Sequence, residues 1–136
     1  MARNSIPEPL RGNLLKIHGG MLDLHKILIE HERARYESQR GPIRSPGEFL
    51  QLLIGDPFFS WLRPMSGLVA VIDEFLETKD PVNLAEGAAL VSQARVLVAP
   101  LQEGNEFQRG YFRALNESTD IGAAHGTWKR LLAELP

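Results

Sequence analysis

Three times in this chain a residue that caps helices stands directly before proline: Ser45-Pro46, Asp56-Pro57 and Asp80-Pro81. A serine or aspartate side chain accepts a hydrogen bond from the free N–H groups of a first helical turn. Proline fits that turn because its missing N–H has no partner there in any case. Each pair therefore marks a helix start and stops an earlier helix from running through it. The strongest is Ser45-Pro46-Gly47-Glu48, where glutamate at the third helical position adds the signature of a capping box. The stretch from Ser45 to Thr78 is thereby cut into short helices. One is closed by Gly55, another opens at Asp56-Pro57, and Pro64 kinks or restarts the chain before Leu68, Val69, Val71, Ile72, Phe75 and Leu76. Half of the chain's aromatic residues lie here, so this stretch is the expected core-forming middle. Asp73, Glu74 and Glu77 fall outside its apolar stripe and predict a solvated acidic face.

Upstream, Ser5-Ile-Pro-Glu8 fits a second capping box, and a helical period runs from there to about Ser38. Leu14, Ile17, Met21, Leu24 and Leu28 form one stripe. Leu15, His18, Leu22, His25, Ile29, Glu32 and Tyr36 form another beside it, giving a wide apolar face with polar residues set into one flank. Lys16, Asp23, Lys26, Glu30 and Arg33 fall largely on the solvated side. Gly19-Gly20 interrupts this helix and predicts a kink or a close approach by another helix; a backbone approach to a ligand is the functional alternative. A straight helix of about 30 residues would span about 45 Å, more than the diameter of about 37 Å expected of a compact domain of this length. The helix must bend at the glycines, or its Arg33–Arg40 end must pack on something else. Downstream, a small-residue helix is expected from Asp80-Pro81 to about Ala99, then helices over 106–116 and from Thr119-Asp120 onward through Ile121, Ala124, Trp128, Leu131 or Leu132, and Leu135. No segment alternates as a strand does. The expected fold is all-α: one domain over residues 1–136, an up-down four-helix-bundle-like arrangement with short accessory helices around 46–54 and 105–116.

Several functional classes are excluded early. The chain has no cysteine, which removes disulfides, zinc–thiolate sites, iron–sulfur ligation and cysteine nucleophiles. Its N-terminus lacks an apolar signal region, and its apolar stretches are broken by Gln51, Asp56, Arg63 and Asp73, short of the roughly 20 residues a membrane span needs. A cytoplasmic protein without membrane contact is expected. Residues 1–44 carry eight Lys/Arg against five Asp/Glu, whereas residues 45–136 carry seven against twelve. Such opposite ends favour head-to-tail or intramolecular contact over nucleic-acid binding, which needs a concentrated basic face. Arg33, Arg35, Arg40 and Arg44 cluster near Tyr36, but Glu30, Glu32 and Glu37 are interleaved with them, which predicts a solvated helix end. A helix-turn-helix over residues 46–62 fails as well, because Pro-Phe-Phe-Ser-Trp-Leu offers base edges almost no hydrogen-bonding groups.

No catalytic residue, cofactor or metal is assigned. Carboxylate-bridged di-iron bundles use Glu-x-x-His pairs, yet His18, His25, His31 and His125 follow Leu15, Leu22, Leu28 and Gly122 at that spacing. There is no Gly-x-Ser-x-Gly elbow and no phosphate-binding glycine pattern. His18, His25 and Glu32 recur every seven residues, about 10.5 Å apart along a helix, too far to share one ion. A binding or proton site at His18 or His25 would need His125 from the last helix. The alternative is histidines that bridge core and rim by hydrogen bonds. Trp61 and Arg63 are the other candidate binding residues, as core plus an exposed arginine or as an interface anchor. The segment Asp56–Pro64, with the run from Leu68 to Phe75, resembles a family of small uncharacterised bacterial proteins. That resemblance implies an all-helical fold and carries no functional residue. The leading expectation is a non-enzymatic interaction protein, its partner another protein or a second copy of itself as a homodimer. The alternative is a small-molecule- or metal-binding bundle, enzymatic or not, with a pocket lined by His18, His25, Trp61 and His125.

Overall fold

The computed structural model describes residues 6–78 and 82–136, and these form an all-α bundle with no strand among them. Helix α1 (Leu10–Arg40) is the spine. Its 31 residues make a rod of about 46 Å, against which the later helices pack. The stripe of Leu14, Ile17, Met21, Leu24 and Leu28 is buried along its whole length. The neighbouring stripe divides instead of burying as a unit. Leu15 and Leu22 remain 49% and 45% exposed, while Glu32 is completely buried. The reason is coverage: α3, α4 and α6 pack on the other side of α1, and among the described residues the flank that carries Leu15 and Leu22 is left half open.

The caps act as their chemistry requires. Helix α2 (Pro46–Gly55) starts with Ser45 accepting from the Glu48 N–H at 3.0 Å, while the Glu48 carboxylate accepts from Arg44 N–H at 2.6 Å. Asp56 caps a 3-10 helix (Pro57–Leu62) by accepting from Phe58 N–H at 2.8 Å. Pro64 then lies in the first turn of α3 (Arg63–Glu77), so the chain restarts there, as the proline dictates. The expected Ser5 and Asp80-Pro81 caps lie outside the described residues. Helix α4 (Leu84–Leu97) begins later than that last pair implies and is capped by Asn83, which accepts from Glu86 N–H at 3.1 Å. Helix α5 (Glu106–Glu117) opens with a reciprocal Asn105–Gln108 box, and α6 (Thr119–Ala133) with Ser118 accepting from Ile121 N–H. No described helix is long and apolar enough to cross a membrane.

Helix α1 contacts α3, α4, α6 and the 3-10 helix, and α5 contacts α6, α3 and the 3-10 helix. The expectation of α5 as an accessory helix needs correction, since Phe107, Tyr111 and Ala114 are all fully buried. The small residues of α4 do admit neighbours: a Cβ on Gly87 would sit 2.8 Å from the Leu10 side chain and 3.0 Å from Phe75. Gly19-Gly20 does not break α1, which runs through as one helix. The two glycines differ, however. A Cβ on Gly20 would lie 3.0 Å from both Trp128 and Leu131, so α6 approaches closely there. Gly19 faces open space, and no contact within the described residues accounts for a glycine there.

The over-long end of α1 packs on something else. Tyr36 meets Phe58 edge-on at 5.2 Å between ring centroids and Phe59 at 5.5 Å; Glu37 accepts from Ile43 N–H at 2.8 Å; Arg40 lies 3.7 Å from Asp56. Arg33 and Arg35 stack over Phe49 and Phe58, 4.8 and 4.1 Å from the ring centroids. The expected solvated arginine end holds for Arg40 and Arg44, which stay exposed, but not for Arg35, which aromatic side chains of the returning segment partly cover together with Arg33.

Two glycines test this packing in opposite directions. A Cβ on Gly110 would overlap the Trp61 indole, whereas Gly67 in α3 has nothing within 4 Å. Gly110→Ala is expected to lose about 1–3 kcal/mol to overpacking. Gly67→Ala is expected to gain up to about 1 kcal/mol from helix propensity. Chemical denaturation of the two variants checks the sign of each; a stabilised Gly110→Ala would contradict the close α5–Trp61 contact.

Candidate functional site

The most concentrated chemistry in the molecule surrounds Glu32, which the sequence places on a flank and the structure buries completely. Its carboxylate accepts from the Trp61 indole N–H at 2.7 Å, from Arg35 at 2.8 and 3.2 Å, and from Arg113 at 2.5 Å. Three elements converge there: α1 gives Glu32 and Arg35, the 3-10 helix gives Trp61, and α5 gives Arg113. Burial alone pushes the Glu32 carboxyl up. The Arg35 hydrogen bond, the Arg113 charge and the Trp61 hydrogen bond outweigh it and hold the group below the usual carboxylate range. The network continues outward. Arg113 also donates to Glu117 at 2.7 Å, and Glu117 lies 2.9 Å from His31 Nε2.

A ring ladder leads from this cluster to the last helix. Trp61 meets Phe107 at 5.6 Å, Phe107 stacks on Tyr111 at 5.6 Å, and Tyr111 meets His125 edge-on at 5.3 Å. The Tyr111 hydroxyl and His125 Nδ1 share a hydrogen bond of 2.7 Å. Burial pushes the Tyr111 phenol up, while burial and then the nearby Lys129 charge push His125 down. Both groups are held neutral at pH 7, which suits a structural hydrogen bond between core and rim.

The structure does not bring the candidate histidines together. His18 Nε2 lies 3.4 Å from Asp73 on α3. His25 faces a groove formed with α2, the 3-10 helix and α3. His125 is engaged with α5. The physical reason is that α6 packs on α1 through Gly20, Leu24 and Ile27, away from the flank that carries His18 and His25 toward α3. A shared site with His125 is therefore ruled out in this arrangement. Among the described residues no group of three His, Asp or Glu side chains is placed to hold a metal.

Trp61 and Arg63 also part company. Trp61 turns inward to Glu32, while Arg63 stays exposed and donates to the carbonyls of Leu53 and Asp56 at 3.4 and 3.3 Å. Arg63 instead joins His25 at the groove. This cleft of about 480 Å³ has Ile29, Leu53, Ile54, Phe59 and Leu62 as its apolar lining, with Arg63 and Ser66 as its other polar groups. Burial pushes the His25 imidazole down, so it presents a neutral ring. Comparison of the chain with protein-family models, curated proteins and solved structures returns no match.

Glu32 and Arg113 are the residues that sequence reasoning missed. Two signals point to Glu32, the Glu32–Arg35 spacing and the need of a buried Trp61 N–H for an acceptor, and none points to Arg113. Removing the charge tests the cluster. Glu32→Gln is expected to cost about 3 kcal/mol at neutral pH, the range found when one partner of a buried pair is lost. The folded carboxyl lies below its unfolded value of about 4. Its contribution is therefore complete above that pH and is lost as pH falls through the folded value. The wild type should thus lose melting temperature toward acid more steeply than Glu32→Gln. Parallel acid profiles would assign that sensitivity to other carboxylates.

Proposed function

We propose that this chain is a non-enzymatic helical interaction protein that associates with a second copy of itself. One observation carries the proposal: an apolar row left open along α1. Leu15 and Leu22 are nearly half exposed, Ile29 continues their line into the groove, and there Ile54 and the nearby Leu50 are 64% and 56% exposed. Scattered apolar side chains are ordinary on a surface, but Leu15, Leu22 and Ile29 recur every seven residues on one face and lead toward Ile54, a pattern that favours an interaction site. The strongest polar cluster supports the same reading from the other side. Glu32 has its acceptor sites filled by Trp61, Arg35 and Arg113, so it is built to hold elements together and not to act on a substrate. With no cysteine in the chain, a cytoplasmic setting belongs to the same proposal. Sedimentation velocity across a wide concentration range is expected to show a reversible rise toward twice the monomer mass. A strict monomer throughout would sink the proposal.

A second reading is favoured by the polar groups of the groove. An exposed guanidinium at Arg63 and a neutral imidazole at His25 beside an apolar floor suit a small amphipathic carboxylate. A medium-chain fatty acid is then expected to raise the melting temperature of the wild type. It should leave Arg63→Ala unmoved, and also Gly67→Leu, whose new side chain enters open space beside the groove. If no carboxylate shifts the wild type, the groove is not a ligand site.

A further inference from the structure

The open row on α1 also has the symmetry of a specific partner. Leu15, Gly19 and Leu22 follow at four and three residues, so they share one helix face, and that face is exposed. Gly19 sits at its centre with nothing within 4 Å of where a Cβ would be. A glycine weakens a helix interior, and unlike Gly20, which α6 overlies, Gly19 meets nothing among the described residues that needs it. What it does permit is the close approach of another backbone from outside.

The charges beside this face select the partner. Lys16 and Asp23 are seven residues apart, hence on the same side of the row, and both are exposed. Neither makes an ion pair within the described residues. They stand three residues before and four after Gly19. If a second α1 crosses the first in the opposite direction at Gly19, Lys16 of each copy comes beside Asp23 of the other, and Leu15 comes beside Leu22. A parallel crossing would instead place the two copies of this flank on opposite sides of the contact, so that Lys16 and Asp23 would not meet across it.

We infer that two copies of the chain pack α1 against α1, antiparallel, crossing at Gly19. This rests on the self-association proposed above and adds its geometry. The contact is isologous: a twofold axis passes near Gly19, and every interaction occurs twice. Leu15 and Leu22 bury their exposed halves against each other, and the two Lys16–Asp23 pairs fix the direction.

The absence of cysteine supplies a direct test. In Gly19→Cys the only thiol of each copy lies beside the axis, at a separation a disulfide spans. Mild oxidation is expected to convert it to covalent dimer, whereas Gly122→Cys, also exposed with nothing within 4 Å of its Cβ but on α6, forms no covalent dimer. Separately, Lys16→Asp and Asp23→Lys are each expected to weaken the wild-type dimer about tenfold. The double exchange should restore it to within about twofold. A wild type that sediments only as monomer overturns both the self-association and this geometry. A wild-type dimer whose Gly19→Cys variant cross-links no faster than Gly122→Cys overturns the crossing alone. Cross-linking without rescue by the double exchange overturns the antiparallel direction.

Discussion

The arrangement of this protein depends on one anion in a place where anions are costly. A carboxylate removed from water loses several kcal/mol of hydration unless it is fully paired, and Glu32 is removed completely. It is tolerated because donors from three elements reach it, and they can do so only when those elements are docked. The same cost therefore gives specificity. If the 3-10 helix shifts by one residue or α5 rotates, the carboxylate is left without its partners. Apolar contacts in a bundle slide at small cost, and this polar contact does not.

The cluster also explains why the two ends of the spine are treated differently. Near Glu32 the partners are aromatic and cationic: Arg113 lies 5.5 Å from the Trp61 ring, and Arg35 stacks on Phe58 while holding the carboxylate. Near Gly20 the partners are purely packed, with Trp128 and Leu131 set close against the backbone. Helix α1 thus crosses a charged layer and a dry layer in turn. Helices α5 and α6, which contact one another, serve one layer each.

Much of this was legible in the residues. The boundaries marked by Ser45-Pro46, Asp56-Pro57 and Pro64 came through because capping and proline sterics are local and do not depend on the rest of the fold. The stripe from Leu14 to Leu28 was legible for the same reason, since helical periodicity alone reports it. Glu32 was not, because its burial is decided by Trp61 and Arg113, 29 and 81 residues further along the chain. Arg33 and Arg35 are hidden from the sequence in the same way: interleaved glutamates suggest solvent, as holds for Arg40 and Arg44, but stacking on Phe49 and Phe58 depends on where the later chain returns. His18, His25 and His125 were grouped by type, and the structure separates them because α6 and α3 lie on different flanks of α1. Gly19 and Gly20 are chemically identical neighbours, and only the position of α6 tells them apart.

The chain has two tryptophans, and they sit at the two layers of α1. Trp61 is hydrogen-bonded at the level of residue 32 and Trp128 packs at the level of residue 20, about 18 Å apart along the helix axis. One indole donates its N–H to an anion; the other lies against apolar side chains and backbone. Their emission should accordingly differ in colour and in response to acid. The protein carries two intrinsic fluorophores that separate loosening of the charged layer from departure of α6, with no label added.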